Sequence, residues 1–80
     1  MKYSWLLEEM MSCKFTPTEI HMGRHAHDQY QEWITVNRPN GWEFARKRFN
    51  GADVILDDKL WPWQVVFIAK HEVQLPKEYA

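Results

Sequence analysis

The chain has 80 residues, a single cysteine, and 11 acidic against 10 basic side chains, a net charge of −1. That length allows one domain, which buries only ~60% of the surface its unfolded form exposes, and the lone Cys13 excludes an internal disulfide as compensation. The even charge lacks the basic excess by which a general nucleic-acid binder neutralises phosphates.

Aromatic residues are in excess, with five Trp, four Phe and three Tyr. A core this small cannot absorb them all, and Trp and Tyr left at a surface are the favoured anchors of interfaces. The first residues, Met-Lys-Tyr-Ser-Trp-Leu-Leu-Glu-Glu, meet acids where a signal peptide needs an unbroken apolar run. No segment reaches the ~20 apolar residues of a membrane helix. The expectation is one cytoplasmic domain over 1–80, in a reducing compartment, with 76–80 as a frayed tail.

Residues 3–12 have the spacing of a short amphipathic helix: Trp5, Leu6, Leu7, Met10 and Met11 on the apolar side, Glu8 and Glu9 towards solvent. It ends near Cys13-Lys14-Phe15. The next stretch carries two signals. Thr16 as a cap, Pro17 at the first helical position and Glu19 completing a capping box describe a helix start, with Phe15 and Ile20 as a hydrophobic staple. Glu19-Ile20-His21-Met22-Gly23 alternates polar and apolar and then meets a glycine, as a short strand does.

A helix from Arg24 to Val36 follows, with Ala26, Tyr30, Trp33 and Ile34 on one face and Gln29, Gln31 and Glu32 on the other. Asn37-Arg38-Pro39-Asn40-Gly41 is a turn by composition. Strands are expected at 42–49, 52–57 and 64–74. Asn50-Gly51 supplies a two-residue hairpin turn that sets Arg48 opposite Asp53 and Phe49 opposite Ala52. The last strand opens apolar on both faces (Val65, Val66, Phe67, Ile68), the pattern of a strand that is central or covered at that end.

In order and turn residues the chain resembles small proteins encoded by tailed phages and prophages. The matching residues are Ile20-His-Met-Gly23, Tyr30, Phe49-Asn-Gly-Ala-Asp-Val54, the acidic Asp57-Asp58 and the Leu60-Trp-Pro62 bend. The same order is similar to a strand–helix–hairpin stretch of phage major capsid proteins, although this chain is far shorter than a capsid subunit and its first helix has no counterpart there. The resemblance implies a strand over 18–22 and a phage or prophage origin. It implies no activity.

Three constellations invite a functional reading. His21, His25 and His27 fall within seven residues, but a strand at 18–22 separates His21 from the helical register of His25, and Met22 stands where zinc peptidases place a glutamate. Ordinary surface histidines are the expectation, with no metal and no cofactor. Arg46, Lys47 and Arg48, helped by Arg38, form a basic run beside Trp42 and Phe44, as in single-strand binders that stack bases on rings. Alternation splits that run between two faces, and charge pairing with Asp53 and Asp57 competes with it. Trp61-Pro62-Trp63 lies at a bend, where the proline fixes φ and removes a donor. An exposed Trp there is an interface anchor.

Enzyme chemistry has little support. Cys13 has no histidine beside it, Asp57 and Asp58 point to opposite faces if extended, and the three glycines are isolated. The fold expected is α+β: an N-terminal helix, a short strand, a second helix and a three-stranded antiparallel meander against which the helices pack. The function expected is non-enzymatic protein binding through Trp42, Trp61, Pro62 and Trp63, as a homodimer. The alternative is nucleic-acid binding through Arg38, Arg46, Lys47 and Arg48.

Overall fold

The computed structural model describes residues 3–37 and 47–75. Helix α1 (Tyr3–Met11) and helix α2 (Arg24–Asn37) accompany strands β1 (Glu19–Met22), β2 (Arg48–Phe49), β3 (Ala52–Leu56), β4 (Val65–Ala69) and β5 (Glu72–Gln74). The class is α+β. Of the two signals at 15–22 the alternating one prevails, and β1 exists.

The meander is not what forms. The strands make one mixed five-stranded sheet in the order β2-β3-β1-β4-β5. Strand β1 inserts between the two strands expected to be hairpin neighbours, parallel to β3 (Ile20 beside Val54) and antiparallel to β4 (Ile20 beside Phe67). The physical reason lies in β1 itself. Ile20 and Met22 are fully buried on one face while Glu19 and His21 lie on the other, so this short strand needs a partner at each edge. The parallel β1–β3 pair in turn requires a long crossover, and α2 lies within it.

The expected strand at 64–74 is two strands. It reverses at Lys70-His71, with Lys70 at a φ of 50° and Ala69 opposite Glu72. Of the expected strand at 42–49, Arg48 and Phe49 form β2, Lys47 is outside any strand, and 42–46 lie outside the described residues.

The hairpin at Asn50-Gly51 forms in the expected register, Arg48 opposite Asp53 and Phe49 opposite Ala52. Its turn has φ of 50° at Asn50 and 89° at Gly51, the doubly positive pattern of a type I′ turn. Interior position of the last strand also holds at its start, where β4 lies between β1 and β5 and buries Val65, Val66 and Phe67.

Both helices contribute to one core. Leu6 and Met10 from α1 and Ala26, Tyr30 and Ile34 from α2 join Ile20, Met22, Phe49, Ala52, Val65 and Phe67, with Trp5, Leu7, Cys13 and Trp33 packed partly against them. Met11, expected on the apolar side of α1, is exposed instead, since the helix ends there in a tight turn (Cys13 N–H to Met10 O, 3.2 Å). Tyr30 is the hub. Its ring meets Phe49 and Trp33 edge-on, at centroid distances of 5.9 and 6.4 Å, and its hydroxyl donates to Arg48 O (3.2 Å).

Candidate functional site

The sheet order determines where the tryptophans go. Strand β3 ends and β4 begins at the same end of β1, since Met22 lies beside Leu56 on one side and Val65 on the other. The chain from 57 to 64 must therefore cross the end of the sheet's central strand, directly over Gly23, where α2 starts.

Backbone hydrogen bonds seat this loop at both its ends and its middle. Asp57 N–H donates to Met22 O and Gly23 N–H to Gln64 O, at 2.9 and 2.8 Å. Leu60 N–H donates to Asp57 O and Gln64 N–H to Trp61 O, at 3.1 and 3.0 Å. Pro62 O accepts from Ala26 N–H at 2.9 Å, one of the N-terminal helix donors that have no partner inside the helix. The first bond of α2 runs from His27 N–H to Gly23 O, so Gly23 is its N-cap. A side chain at Gly23 would overlap Trp61 O and come within 2.8 Å of Pro62 C and O. The loop can sit here because residue 23 has no Cβ.

On this hydrogen-bonded seat Trp61 and Trp63 face outwards, 79% and 56% exposed, with Pro62 exposed between them. Trp63 rests against His25 (ring centroids 5.4 Å apart, tilted 38°) and Arg24 pairs with Asp58 at 3.0 Å. The patch is thus two indoles and a proline, bordered by Arg24, His25 and Asp58. Of the other expected contact residues, Trp42 lies outside the described residues.

Of the basic run, Lys47 and Arg48 fall within the described residues, and both are exposed. Arg38 and Arg46 lie outside the described residues, and the Arg48 Nε donates to Asp53 Oδ1 at 3.0 Å.

The three histidines part company. His25 lies under Trp63, His27 faces Gln31 across a turn of α2 (3.4 Å), and His21 is on β1. Burial lowers the His27 pKa below 6.5, with Asp28 partly opposing it. His21 has carboxylates on both sides, Nε2 at 2.9 Å from Glu19 Oε1 and Nδ1 at 3.1 Å from Asp57 Oδ2. Partial burial works against its charged form, but the hydrogen bonds and charges of Glu19 and Asp57 outweigh it and raise the pKa above 6.5. Asp57 is held below 3.8, first by His21 and then by the Lys59 N–H on its other oxygen. With a carboxylate oxygen on each ring nitrogen, the His21 imidazolium donates from both and has no lone pair to offer a metal or a substrate proton. No group of three side chains able to hold a metal occurs among the described residues. None of their helices is long and apolar enough to cross a membrane.

The sequence signal for this triad was present but weak: Glu19 and His21 alternate on a strand, and nothing local says that Asp57 comes beside them. Gly23, His25 and Arg24 were likewise missed, because their importance derives from the loop that lands on them. A shallow cleft of about 390 Å³ at the opposite end of β1 and β4, lined by residues that include Phe15, Thr18, Lys70 and His71, shares no residue with the tryptophan loop. Comparison of the chain with protein-family models, curated proteins and solved structures finds no match.

Proposed function

We propose that this chain is a non-enzymatic protein-binding module whose docking element is Trp61-Pro62-Trp63. One observation carries the reading: two largely exposed indoles stand on a loop whose backbone is hydrogen-bonded at both ends and through Pro62. Large aromatic rings on a preorganised support lose little entropy on binding, which is the property of interface anchors. The resemblance to small phage and prophage proteins supports a host or virion component as partner and action in the host cytoplasm.

Replacing both rings tests it. Trp61→Ala with Trp63→Ala is expected to weaken capture of the partner by ~2 kcal/mol or more, while thermal stability changes by no more than ~1 kcal/mol, the scale of the lost His25–Trp63 contact. Affinity capture from host lysate, read by mass spectrometry, measures the first and a melting curve the second. A variant that unfolds, or one that captures unchanged, ends the reading. Loss of capture in Arg46→Ala, Arg48→Ala instead, with steep salt dependence, would transfer the function to nucleic-acid binding.

Self-association belongs to the same proposal. Among the described residues the sheet is bounded by a two-residue strand on one side and by β5 on the other, where Val73 and the following Leu75 are exposed. An open strand edge can recruit a second strand. A homodimer at micromolar concentration is expected, and light scattering after size exclusion decides it, since a mass of 9.7 kDa throughout means a monomer.

A further inference from the structure

We propose that His21 is a proton-operated clasp on the tryptophan loop: as imidazolium it ties Asp57, the loop's first residue, to β1, and on losing a proton it releases that residue and loosens the seat of Trp61-Pro62-Trp63. The inference takes the loop as the docking element and adds its regulation.

The geometry carries it. Two carboxylate oxygens stand 2.9 and 3.1 Å from the two ring nitrogens, and only an imidazolium has an N–H for each. A neutral ring keeps one, and the second oxygen then faces a nitrogen lone pair. The tautomer follows the hydrogen bonds the ring makes, and the shorter contact, Nε2 to Glu19 at 2.9 Å against 3.1 Å for Nδ1 to Asp57, keeps the remaining proton, so the bond lost is the one to Asp57.

Asp57 is where that loss is felt. Its N–H donates to Met22 O, its carbonyl accepts from Leu60, and its other carboxylate oxygen accepts from Lys59 N–H at 3.0 Å. Release of one carboxylate oxygen leaves the loop tethered but free to shift at its first turn.

No other described group takes over the role. Across from His21, β3 presents Ile55 and β4 presents Val66. One row away Asp53 stands beside Glu19 but is paired with Arg48 from β2, and Ile68 lies on the β4 side. Both helices pack against the opposite face, with Ile20 and Met22. Lys59, on the loop, acts on Asp57 rather than on the ring.

The signs give the working range. His21, with its pKa raised above 6.5, contributes stability that is complete below 6.5 and is lost as pH rises through its folded midpoint. Asp57, with its pKa lowered from 3.8, contributes stability that is complete above 3.8 and is lost as pH falls through its own. The clasp is therefore closed between those values and opens on the alkaline side. His27, whose pKa is lowered from 6.5, acts in the other direction and loses its contribution as pH falls. Global melting mixes the two histidines, so the loop itself must be read.

Amide exchange on the full chain, expressed as protection factors from about pH 5 to 9 and combined with NMR titration of the His21 ring, makes that reading. The His21 midpoint is expected above 6.5. Protection of Lys59, Leu60, Gln64 and Ala26 is expected to fall through that midpoint, about tenfold for each pH unit by which the closed-loop midpoint exceeds the open-loop one. The Thr18 and Asp53 amides, bonded to Ile68 O and Thr18 O away from the loop, should show no such step.

His21→Gln and Asp57→Asn should each abolish the step, and if the first does not fold the second still decides. Loop protection that stays flat while His21 titrates means that only Glu19 lets go, and overturns the clasp. The same step surviving in Asp57→Asn overturns it as well. No partner enters these measurements. A step without tryptophan-dependent capture leaves the clasp standing and ends the docking reading, whereas capture with a flat loop does the reverse.

Discussion

Gly23→Ala is expected to cost this domain about 3 kcal/mol, the upper end of ordinary overpacking, because the atoms in the way are backbone. The new methyl would overlap Trp61 O and crowd Pro62, and neither can rotate aside as a side-chain tip could. To make room the loop must lift, which strains the bonds from Gly23 N–H to Gln64 O and from Ala26 N–H to Pro62 O. Gly23 does not have a positive φ, so the demand here is for space and not for an unusual backbone. The same overlap excludes serine, otherwise a better N-cap. A domain of this size has a stability of roughly 4–12 kcal/mol at ~0.05–0.15 per residue, and the loss corresponds to a fall in Tm of about 12–24 °C. A melting curve within ~3 °C of the parent would mean that the loop is not seated on α2, and the platform under the tryptophans would fall with it.

Tyr30→Ala should be at least as damaging, at about 3–5 kcal/mol. Tyr30 is fully buried and is the residue through which α2 holds the β2–β3 hairpin, by its edge-on contact with Phe49 and its hydroxyl bond to Arg48 O. The two parts separate experimentally. Tyr30→Phe keeps the ring and removes the hydroxyl's bond to Arg48 O, so its cost should be ~1 kcal/mol. Denaturant unfolding of both variants makes the comparison. If Tyr30→Phe proves as costly as Tyr30→Ala, the hydroxyl rather than the ring anchors the hairpin.

Neither effect can be read from local pattern, although the residues involved are placed correctly by it. The apolar face of α2 was legible because a helix repeats every 3.6 residues and Ala26, Tyr30 and Ile34 obey that spacing. The Asn50-Gly51 hairpin was legible because few dipeptides tolerate two positive φ values in succession. Exposure of the indoles was foreseeable from the surplus of aromatic residues over what so small a core can hold. The break at Lys70-His71 was not, since neither residue is a turn former and the strand pattern continues through both.

Local chemistry thus suffices for the helices, the alternation of β1, the tight hairpin and a bend of exposed tryptophans at Pro62, because each depends on neighbours within a few residues. Which strand lies beside which is a different kind of fact. It follows from competition among whole-chain pairings: a four-residue strand with one apolar face gains most by lying between β3 and β4, and nothing in residues 52–74 records that another strand will come between them. That single insertion carries the 57–64 loop across Gly23, sets Pro62 O on the start of α2 and brings Asp57 to His21. The tryptophan loop and its contact with His21 are therefore products of strand order, assembled from residues that no periodicity connects, His21 and Asp57 being 36 positions apart.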